Sequence, residues 1–209
     1  RSETKALKRL TDDSSNVSCH YFIKRNGQII LMVPELYEAW HAGKSKWKKF
    51  VNLNKNSLGI ELVNKGHQFG YQNFSNEQIL SLIKLCKVLK KKYAIKKENF
   101  LGHSDIAPLR KTDPGEKFPW QRLSKYKLGV WYKDIGRNFK VHEKNKNVLF
   151  FKYLHKLGYR YFSLSKRTSE DKKIIKSFQQ HYVPDNVTGK LDQKTLKICH
   201  FLKHSFKIS

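Results

Sequence analysis

The most informative stretch of the chain is residues 103–115, which read His103-Ser104-Asp105-Ile106-Ala107-Pro108-Leu109-Arg110-Lys111-Thr112-Asp113-Pro114-Gly115. The short apolar segment Asn99-Phe100-Leu101 precedes it, and we interpret that segment as a buried strand. The histidine follows this strand closely, and an aspartate comes ten residues later, just before Pro-Gly. Two prolines, Pro108 and Pro114, stiffen the path between them. The two ends of the stretch can therefore be held face to face.

The side chains at these two ends suit a metal ion. Neutral imidazole and carboxylate are zinc ligands, and a catalytic zinc site needs three protein ligands and one open position. His103 and Asp113 are therefore candidate metal ligands. Lys111 would place an ammonium group beside a substrate carbonyl and stabilise the charge that develops there. The alternative is a proline-rich surface loop with an ordinary salt bridge.

A carboxylate in an apolar strand is the second candidate. Residues 57–63 alternate as a strand that reads Ser-Leu-Gly-Ile-Glu-Leu-Val, with Glu61 among apolar neighbours. A carboxylate there is costly unless it faces a polar cleft or a partner. Beside a metal and its water, Glu61 would act as a general base. The alternative is a charge on an edge strand.

A small-residue loop carries aromatic and polar groups that suit sugar or peptide binding. Ala39-Trp40-His41-Ala42-Gly43 places an indole beside an imidazole, and Asn54 follows eleven residues after Gly43. The alternative is a turn with one packed tryptophan. His20 by itself is typical of a core or rim histidine, and the remaining histidines, His181 among them, show no ligand spacing and read as surface or packing residues.

In the first part of the chain, predicted strands alternate with helices, which indicates an α/β domain around a mixed sheet. Asn26-Gly27 is a hairpin signal, and Ser75 with Gln78 forms a capping box. The predicted elements are a helix over 3–11, strands over 17–24, 28–33 and 57–63, and a helix from Ser75 to about residue 93.

The composition changes after residue 132. Residues 133–144 are polar and charged and read as a linker, and three amphipathic stretches follow at 145–157, 169–182 and 192–204. Gly158 is placed to end the first of them and Asp192 to cap the last. We therefore predict three parts: residues 1–132 as an α/β domain, 133–144 as a linker, and 145–209 as a small three-helix domain.

The overall composition fits a folded protein with an extreme charge. Hydrophobic residues make up 39% of the chain and the formal net charge is +26. The charge indicates either a lysine-rich solvated surface or attraction to a polyanion such as cell-wall polymer, membrane surface or nucleic acid. Three cysteines stand far apart and form neither a disulfide framework nor a thiolate zinc site. No signal peptide or membrane-spanning run is visible.

Together these segments resemble the N-acetylmuramoyl-L-alanine amidase type-2 family, in particular its AmiD/AmpD group of peptidoglycan amidases. They occur in the family's order over about residues 1–132. The matching segments are Val17-Ser18-Cys19-His20-Tyr21, Ala39-Trp40-His41-Ala42-Gly43, Asn52-Leu53-Asn54, Ser57-Leu58-Gly59-Ile60-Glu61-Leu62 and Gly102 to Trp120. The resemblance implies an α/β fold with a mixed central β-sheet flanked by helices, as in type-2 amidases and peptidoglycan recognition proteins.

The resemblance also implies an activity, zinc-dependent hydrolysis of the amide bond between muramic or anhydromuramic acid and L-alanine of the stem peptide. His103 and Asp113 would bind Zn2+. Glu61 would take a proton from the attacking water, and Lys111 would steady the oxyanion. The residues expected to line the substrate groove are His20, Trp40, His41 and Asn54.

One departure concerns the first zinc ligand. In the family this ligand is a histidine on a strand that precedes the first helix, and the chain shows no such segment before residue 3. We expect the third ligand upstream of Arg1, with His20 or His41 as the alternative. An incomplete site would instead suit a non-catalytic peptidoglycan-recognition module.

The helices near the C-terminus are similar to a three-helix peptidoglycan-binding domain. The similarity rests on Ile174 to Tyr182, Asp185 to Gly189 and Leu191 to Leu196; the alternative is a helical cap that supports the catalytic domain. The expected partner is peptidoglycan or muropeptides, and no nucleic acid is expected. The expected location is the periplasm or the bacterial cell envelope, with association at a membrane surface or an outer-membrane anchor, rather than the cytoplasm. The sequence predicts no oligomeric state and leaves intact wall and released anhydromuropeptide open as substrates.

Overall fold

The structure is a computed structural model that describes residues 3–133 and 145–205. The helices in these ranges are α1 (Glu3–Leu10), α2 (Asn76–Lys92), α3 (His103–Ile106), α4 (Trp120–Ser124), α5 (Lys146–Leu157), α6 (Asp171–Tyr182) and α7 (Gln193–Ser205). The strands are β1 (Tyr21–Ile23), β2 (Ile29–Leu31), β3 (Lys46–Trp47), β4 (Phe50–Val51) and β5 (Ile60–Leu62). No helix in the described ranges combines the length and the apolar character that crossing a bilayer requires.

The first of two compact units comprises Arg1–Ser45 and Phe50–Ile95 and is built on a mixed sheet. β1 lies between β2 and β5. It pairs antiparallel with β2, with Phe22 opposite Ile30, and parallel with β5, with Phe22 opposite Glu61. The predicted mixed sheet is therefore confirmed.

The predicted hairpin joins β1 to β2. The Lys24 N–H donates to the Gln28 carbonyl at 2.9 Å, and the Gly27 N–H donates to the Lys24 carbonyl at 3.0 Å. Gly27 has a φ of +85°, and a Cβ there would lie 2.9 Å from the Glu77 carbonyl oxygen. Glycine is needed at this position because both the backbone angle and the neighbouring helix exclude a side chain.

α2 is attached to the sheet through its first turn. The Ser75 hydroxyl accepts the Gln78 N–H at 3.2 Å, which confirms the predicted N-cap. The buried Gln78 amide donates to the Ile23 carbonyl at 3.0 Å and to the Val63 carbonyl at 3.1 Å. One side chain of the helix thus links the ends of β1 and β5. The core of this sheet is formed by Cys19, Phe22 and Val63, with Ala6, Leu7, Leu10, Ile30 and Met32 packed against it.

The second unit comprises Lys46–Lys49 and Lys96–Ser209. α5, α6 and α7 bury an apolar core as predicted, which includes Phe150, Phe151, Leu154, Ile174, Phe178, Leu196, Ile198 and Leu202. Asp192 caps α7 by accepting the Thr195 N–H at 2.6 Å. Gly158 follows α5 with a φ of +129°, and a Cβ there would lie 2.7 Å from the Trp47 ring.

One predicted strand is wrong. Lys97–Asn99 form a 3-10 turn, and Phe100 and Leu101 pair with no strand in the described chain. The Lys97 carbonyl accepts instead from the Gly129 N–H, at 3.1 Å. Most of the predicted linker, residues 134–144, lies outside the described residues, so the three-part division remains a prediction.

Candidate active site

The loop that carries His103 and Asp113 is closed by its own backbone. α3 is a single turn, in which the Ala107 N–H donates to the His103 carbonyl at 2.9 Å. The Ser104 N–H donates to the Asp113 carbonyl at 2.8 Å, which brings the far end of the loop back to its start. A Cβ on Gly102 would lie 2.6 Å from Pro114 Cδ, so this close return requires glycine.

The two predicted metal ligands of this loop are in contact. His103 Nδ1 lies 3.1 Å from Asp113 Oδ2. Two donors at about 2.0 Å from a tetrahedral zinc ion are separated by about 3.3 Å, so the pair fits two corners of such a site. Within residues 3–133 and 145–205, no three His, Cys, Asp or Glu side chains come together as a metal-binding group. The described chain therefore brings together two of the donors that a catalytic zinc site needs.

The charges around Asp113 favour its ionised form. Desolvation raises the pKa of this carboxyl, but the hydrogen bond and the electrostatic interaction with His103, together with the positive charge of Lys111, outweigh it and lower the pKa below its ordinary value. Lys111 thus acts electrostatically on the Asp113 carboxylate, and its expected place beside a substrate carbonyl stays a prediction. An ionised carboxylate is the form that binds a cation.

Arg110 is a neighbour of the pair that the sequence did not single out. Its guanidinium Nη2 lies 3.3 Å from His103 Nε2. Because a guanidinium has only donors, Nε2 accepts here, and Nδ1 is the nitrogen that carries a proton towards Asp113. A metal ion between His103 and Asp113 would replace that proton. Arg110 stands between the two prolines of the loop as an ordinary surface cation, so no sequence signal marked it.

Glu61 belongs to the first unit and lies on β5, opposite Phe22 of β1. Its side chain is exposed, whereas Val63 two residues later is buried. Burial, and then the negative charge of Glu61, raise the pKa of the Cys19 thiol to about 12. Glu61 thus leaves the apolar strand towards solvent. Its role as the base remains a prediction.

His20 is fully engaged within the first unit. Its ring is 1% exposed. Nδ1 accepts the Gly59 N–H at 3.0 Å, and Nε2 lies 3.0 Å from the Tyr37 carbonyl, to which it donates. Both ring nitrogens are therefore hydrogen-bonded to backbone groups, and these partners place the proton on Nε2. The predicted contact of His20 with substrate stays a prediction.

His41 packs next to His20, with ring centroids 5.5 Å apart and an angle of 64° between the rings. Its Nε2 lies 3.2 Å from the Ser57 carbonyl. A Cβ on Gly59 would lie 2.2 Å from His41 Cγ, so the strand can approach the ring only because residue 59 is glycine. Asn54 holds the same loop, because its Oδ1 accepts the Ala42 N–H at 2.7 Å and the Gly43 N–H at 3.2 Å.

Trp40 is fixed through its backbone and leaves its indole in solvent. Its N–H donates to the Ser18 hydroxyl at 2.8 Å, and its carbonyl accepts the Ser18 N–H at 3.2 Å. The side chain is nevertheless 51% exposed. An aromatic face held in this way is available to stack on an apolar or sugar face of a ligand.

The segment before Trp40 is anchored by Glu35. Its carboxylate accepts hydrogen bonds from the Tyr21 hydroxyl, from the Tyr93 hydroxyl, and from Lys92 Nζ at 2.6 Å. Hydrogen bonds from Lys92, Tyr21 and Tyr93 lower the pKa of Glu35 from 4.5 to about 2. This cluster ties the segment to β1 and to the end of α2.

Replacing Glu35 with glutamine should therefore lower the free energy of unfolding at pH 7 by about 1 kcal/mol. A carboxyl whose pKa falls on folding stabilises the protein above its unfolded pKa, and this contribution disappears as the pH falls through the folded value. The difference between the variant and the unaltered chain should shrink from pH 4.5 towards pH 2. Urea unfolding across this pH range measures it. Glu38→Gln, at an exposed position of the same segment, serves as the control, and an equal loss in both variants would contradict the anchoring role.

Comparison with known proteins identifies the family. Residues 1–116 match the model of the family described as N-acetylmuramoyl-L-alanine amidase. The chain is 35% identical, over 218 aligned positions, to the N-acetylmuramoyl-L-alanine amidase AmiD of Escherichia coli K12, with 96% of this chain and 78% of AmiD covered. It is 41% identical over 107 positions to the 1,6-anhydro-N-acetylmuramyl-L-alanine amidase AmpD of Haemophilus influenzae, which covers 51% of this chain and 56% of AmpD.

Solved structures agree over nearly the whole chain. The complex of E. coli AmiD with the substrate anhydro-N-acetylmuramic acid-L-Ala-D-gamma-Glu-L-Lys has a TM-score of 0.86 at 33% identity and covers 99% of this chain and 86% of AmiD. AmpDh3 of Pseudomonas aeruginosa has a TM-score of 0.87 at 29% identity, covering 100% and 89% of the two chains. The predicted fold class is thereby confirmed. By the match over residues 1–116 and the identity to AmiD, this chain belongs to the N-acetylmuramoyl-L-alanine amidase family.

Proposed function

We propose that the chain is a zinc-dependent amidase that hydrolyses the amide bond between N-acetylmuramic or anhydromuramic acid and L-alanine of the peptidoglycan stem peptide. The observation that carries this proposal is the 3.1 Å contact between His103 Nδ1 and Asp113 Oδ2 in a chain of the amidase family. The structures of AmiD with an anhydromuramyl tripeptide and of AmpDh3 with an anhydromuramic pentapeptide support the choice of substrate. Anhydromuropeptides are therefore the first substrates to test.

In this proposal His103 and Asp113 hold the zinc ion. When bound, zinc supplies a Lewis acid that polarises the scissile carbonyl and makes a water nucleophile available near neutral pH. Arg110 would lose its contact with His103 Nε2 if Nδ1 were the nitrogen that holds the metal, because Nε2 would then carry the proton. The identity of the third donor remains a prediction.

The remaining residues act on water and substrate. Glu61 accepts a proton from the attacking water and returns it to the leaving nitrogen of L-alanine, so that one carboxylate serves as base and then as acid. Lys111 stabilises the negative charge on the carbonyl oxygen as the carbon becomes tetrahedral. Trp40 offers its exposed ring to the substrate, and His41 lines the same loop. His20 and Asn54 hold that loop and the strand beside it.

The site of action that we propose is the periplasm or another part of the cell envelope. The net charge of +26 supports contact with anionic wall polymers or with an anionic membrane surface. Such contact would raise the local concentration of the enzyme on its substrate, and it would weaken with added salt. Peptidoglycan or its muropeptide fragments are the proposed partners.

The direct test is to incubate the purified chain with an anhydromuramyl tripeptide and to follow release of the peptide by liquid chromatography and mass spectrometry. We expect a product that begins at L-alanine, loss of release after treatment with a chelator, and recovery on addition of zinc. Release that survives the chelator would contradict the zinc mechanism. Binding of the muropeptide without any release would favour a recognition module over an enzyme.

A further inference from the structure

A buried aspartate with several hydrogen bonds lies two residues after the candidate metal ligand His103. Asp105 is 1% exposed. Its Oδ2 accepts the Gly102 N–H at 2.8 Å and faces His181 Nδ1 at 2.8 Å, and its Oδ1 accepts the Tyr159 hydroxyl. A buried carboxylate is tolerated only when its lone pairs are satisfied in this way. Two of its three donors come from the helical region near the C-terminus.

His181 is itself held rigidly. The ring is 3% exposed and stacks on Trp120, with centroids 4.0 Å apart, and on Tyr182, with centroids 3.9 Å apart. The sequence indicated a surface or packing histidine, and the structure shows a packed ring that is also a hydrogen-bond partner of Asp105. Its Nε2 makes no hydrogen bond in the described chain, so the Asp105 contact is the polar interaction that orients the ring.

α6 reaches the same loop at two further points. The Ser177 hydroxyl donates to the Ser104 carbonyl at 2.6 Å, and the Gln180 amide lies 3.3 Å from Glu116 Oε2. Residues 177, 180 and 181 are spaced three and four apart, so they share one face of the helix. That face thus contacts the loop just after His103 and just after Asp113.

These contacts fix the backbone on either side of the metal ligand His103. The Ser104 N–H donates to the Asp113 carbonyl, and the Ser104 carbonyl accepts from the Ser177 hydroxyl. His103 is therefore flanked by Gly102 and Ser104, both of which are fixed by hydrogen bonds. A ligand pair works only when held to within about 0.5 Å of its productive geometry.

We propose that Tyr159, Ser177 and His181 are positioning residues of the active site, so that α6 and the residues after α5 support the metal-binding loop as well as any wall-binding role. This inference rests on the proposed function for its kinetic part. It assigns to the C-terminal helices the supporting role that the sequence left open, beside the wall-binding one.

The test compares three single-atom deletions in the full chain. Tyr159→Phe and Ser177→Ala each remove one hydroxyl that contacts the loop. Tyr182→Phe removes a hydroxyl from an equally buried tyrosine of α6, and it is the matched control because, within the described residues, this hydroxyl makes no hydrogen bond to residues 103–113. The measurements are zinc affinity by competition with a chromogenic chelator, kcat and KM on an anhydromuramyl tripeptide, and hydrogen exchange of residues 103–113 without metal.

We expect Tyr159→Phe and Ser177→Ala to weaken zinc affinity and to lower kcat by about tenfold each, with KM within about twofold of the unaltered chain. Exchange in residues 103–113 should rise in both, and Tyr182→Phe should match the unaltered chain. Folded variants that keep both the zinc affinity and the slow exchange of the unaltered chain would overturn the positioning role. An unaltered chain that binds zinc but cleaves nothing would overturn the proposed function alone, and the zinc and exchange measurements would still decide this inference.

Discussion

The His103→Ala variant is expected to lose its bound zinc and to cleave anhydromuropeptide at least about a thousandfold more slowly than the unaltered chain. The His103 imidazole and the Asp113 carboxylate are the paired donors, with 3.1 Å between Nδ1 and Oδ2. Removal of the imidazole leaves one carboxylate at this point of the loop. No group of three potential ligands elsewhere in residues 3–133 and 145–205 could take over the metal.

Metal content after dialysis, determined by mass spectrometry, and the rate of peptide release measure this effect together. Asp113→Asn should act in the same direction but less severely, because the amide keeps an oxygen donor while it loses the charge. His67→Ala removes an exposed histidine from a turn of the first unit and is the control. A His103→Ala chain that retained zinc and activity would show that this pair does not form the metal site.

The parts of the fold that could be predicted depend on signals within a few residues of one another. Ser75 and Gln78 form a cap three residues apart, and Asp192 caps Thr195 over the same distance. Helix caps have a recognisable sequence pattern because the first turn of a helix leaves its N–H groups without partners in the helix. The hairpin at Asn26-Gly27 is predictable for a related reason, since few residues accept a positive φ.

The contact between His103 and Asp113 could also be predicted, because the prolines and glycines between and around them restrict the path of the chain. Gly102 must pass Pro114 within contact distance, and only glycine allows this. The pattern of residue types therefore carried information about geometry as well as chemistry. The same pattern said nothing about Arg110, whose contact with His103 follows from the curvature of the loop.

The buried network around Asp105 could not be predicted. Its partners are 54 and 76 residues away in sequence, and no periodic pattern links a tyrosine after α5 and a histidine in α6 to a loop aspartate. Tertiary hydrogen bonds of this kind depend on how helices pack, which local propensity does not determine. The wrong strand at Asn99–Leu101 has a similar origin, because a run of three residues cannot distinguish a strand from an extended connection.

Glu61 lies in the strand that pairs in parallel with the central strand of the sheet. β5 pairs in parallel with β1, and Glu61 stands opposite Phe22, in the middle of the ladder. The backbone at Glu61 is thus paired with β1 while the side chain is exposed. A general base requires this combination, since its backbone must not move while its oxygen reaches water.

Glu61→Gln is expected to lower kcat on anhydromuropeptide by about a hundredfold to ten-thousandfold, while zinc content and KM stay close to those of the unaltered chain. The amide keeps the size of the side chain but cannot accept the proton of the attacking water at neutral pH. Steady-state kinetics with metal analysis separates this outcome from loss of zinc, and Glu38→Gln provides a neutralised, exposed carboxylate of the same unit as the control. A Glu61→Gln chain with kcat within twofold of the control would exclude Glu61 as the base and leave it as a charge on an edge of the sheet.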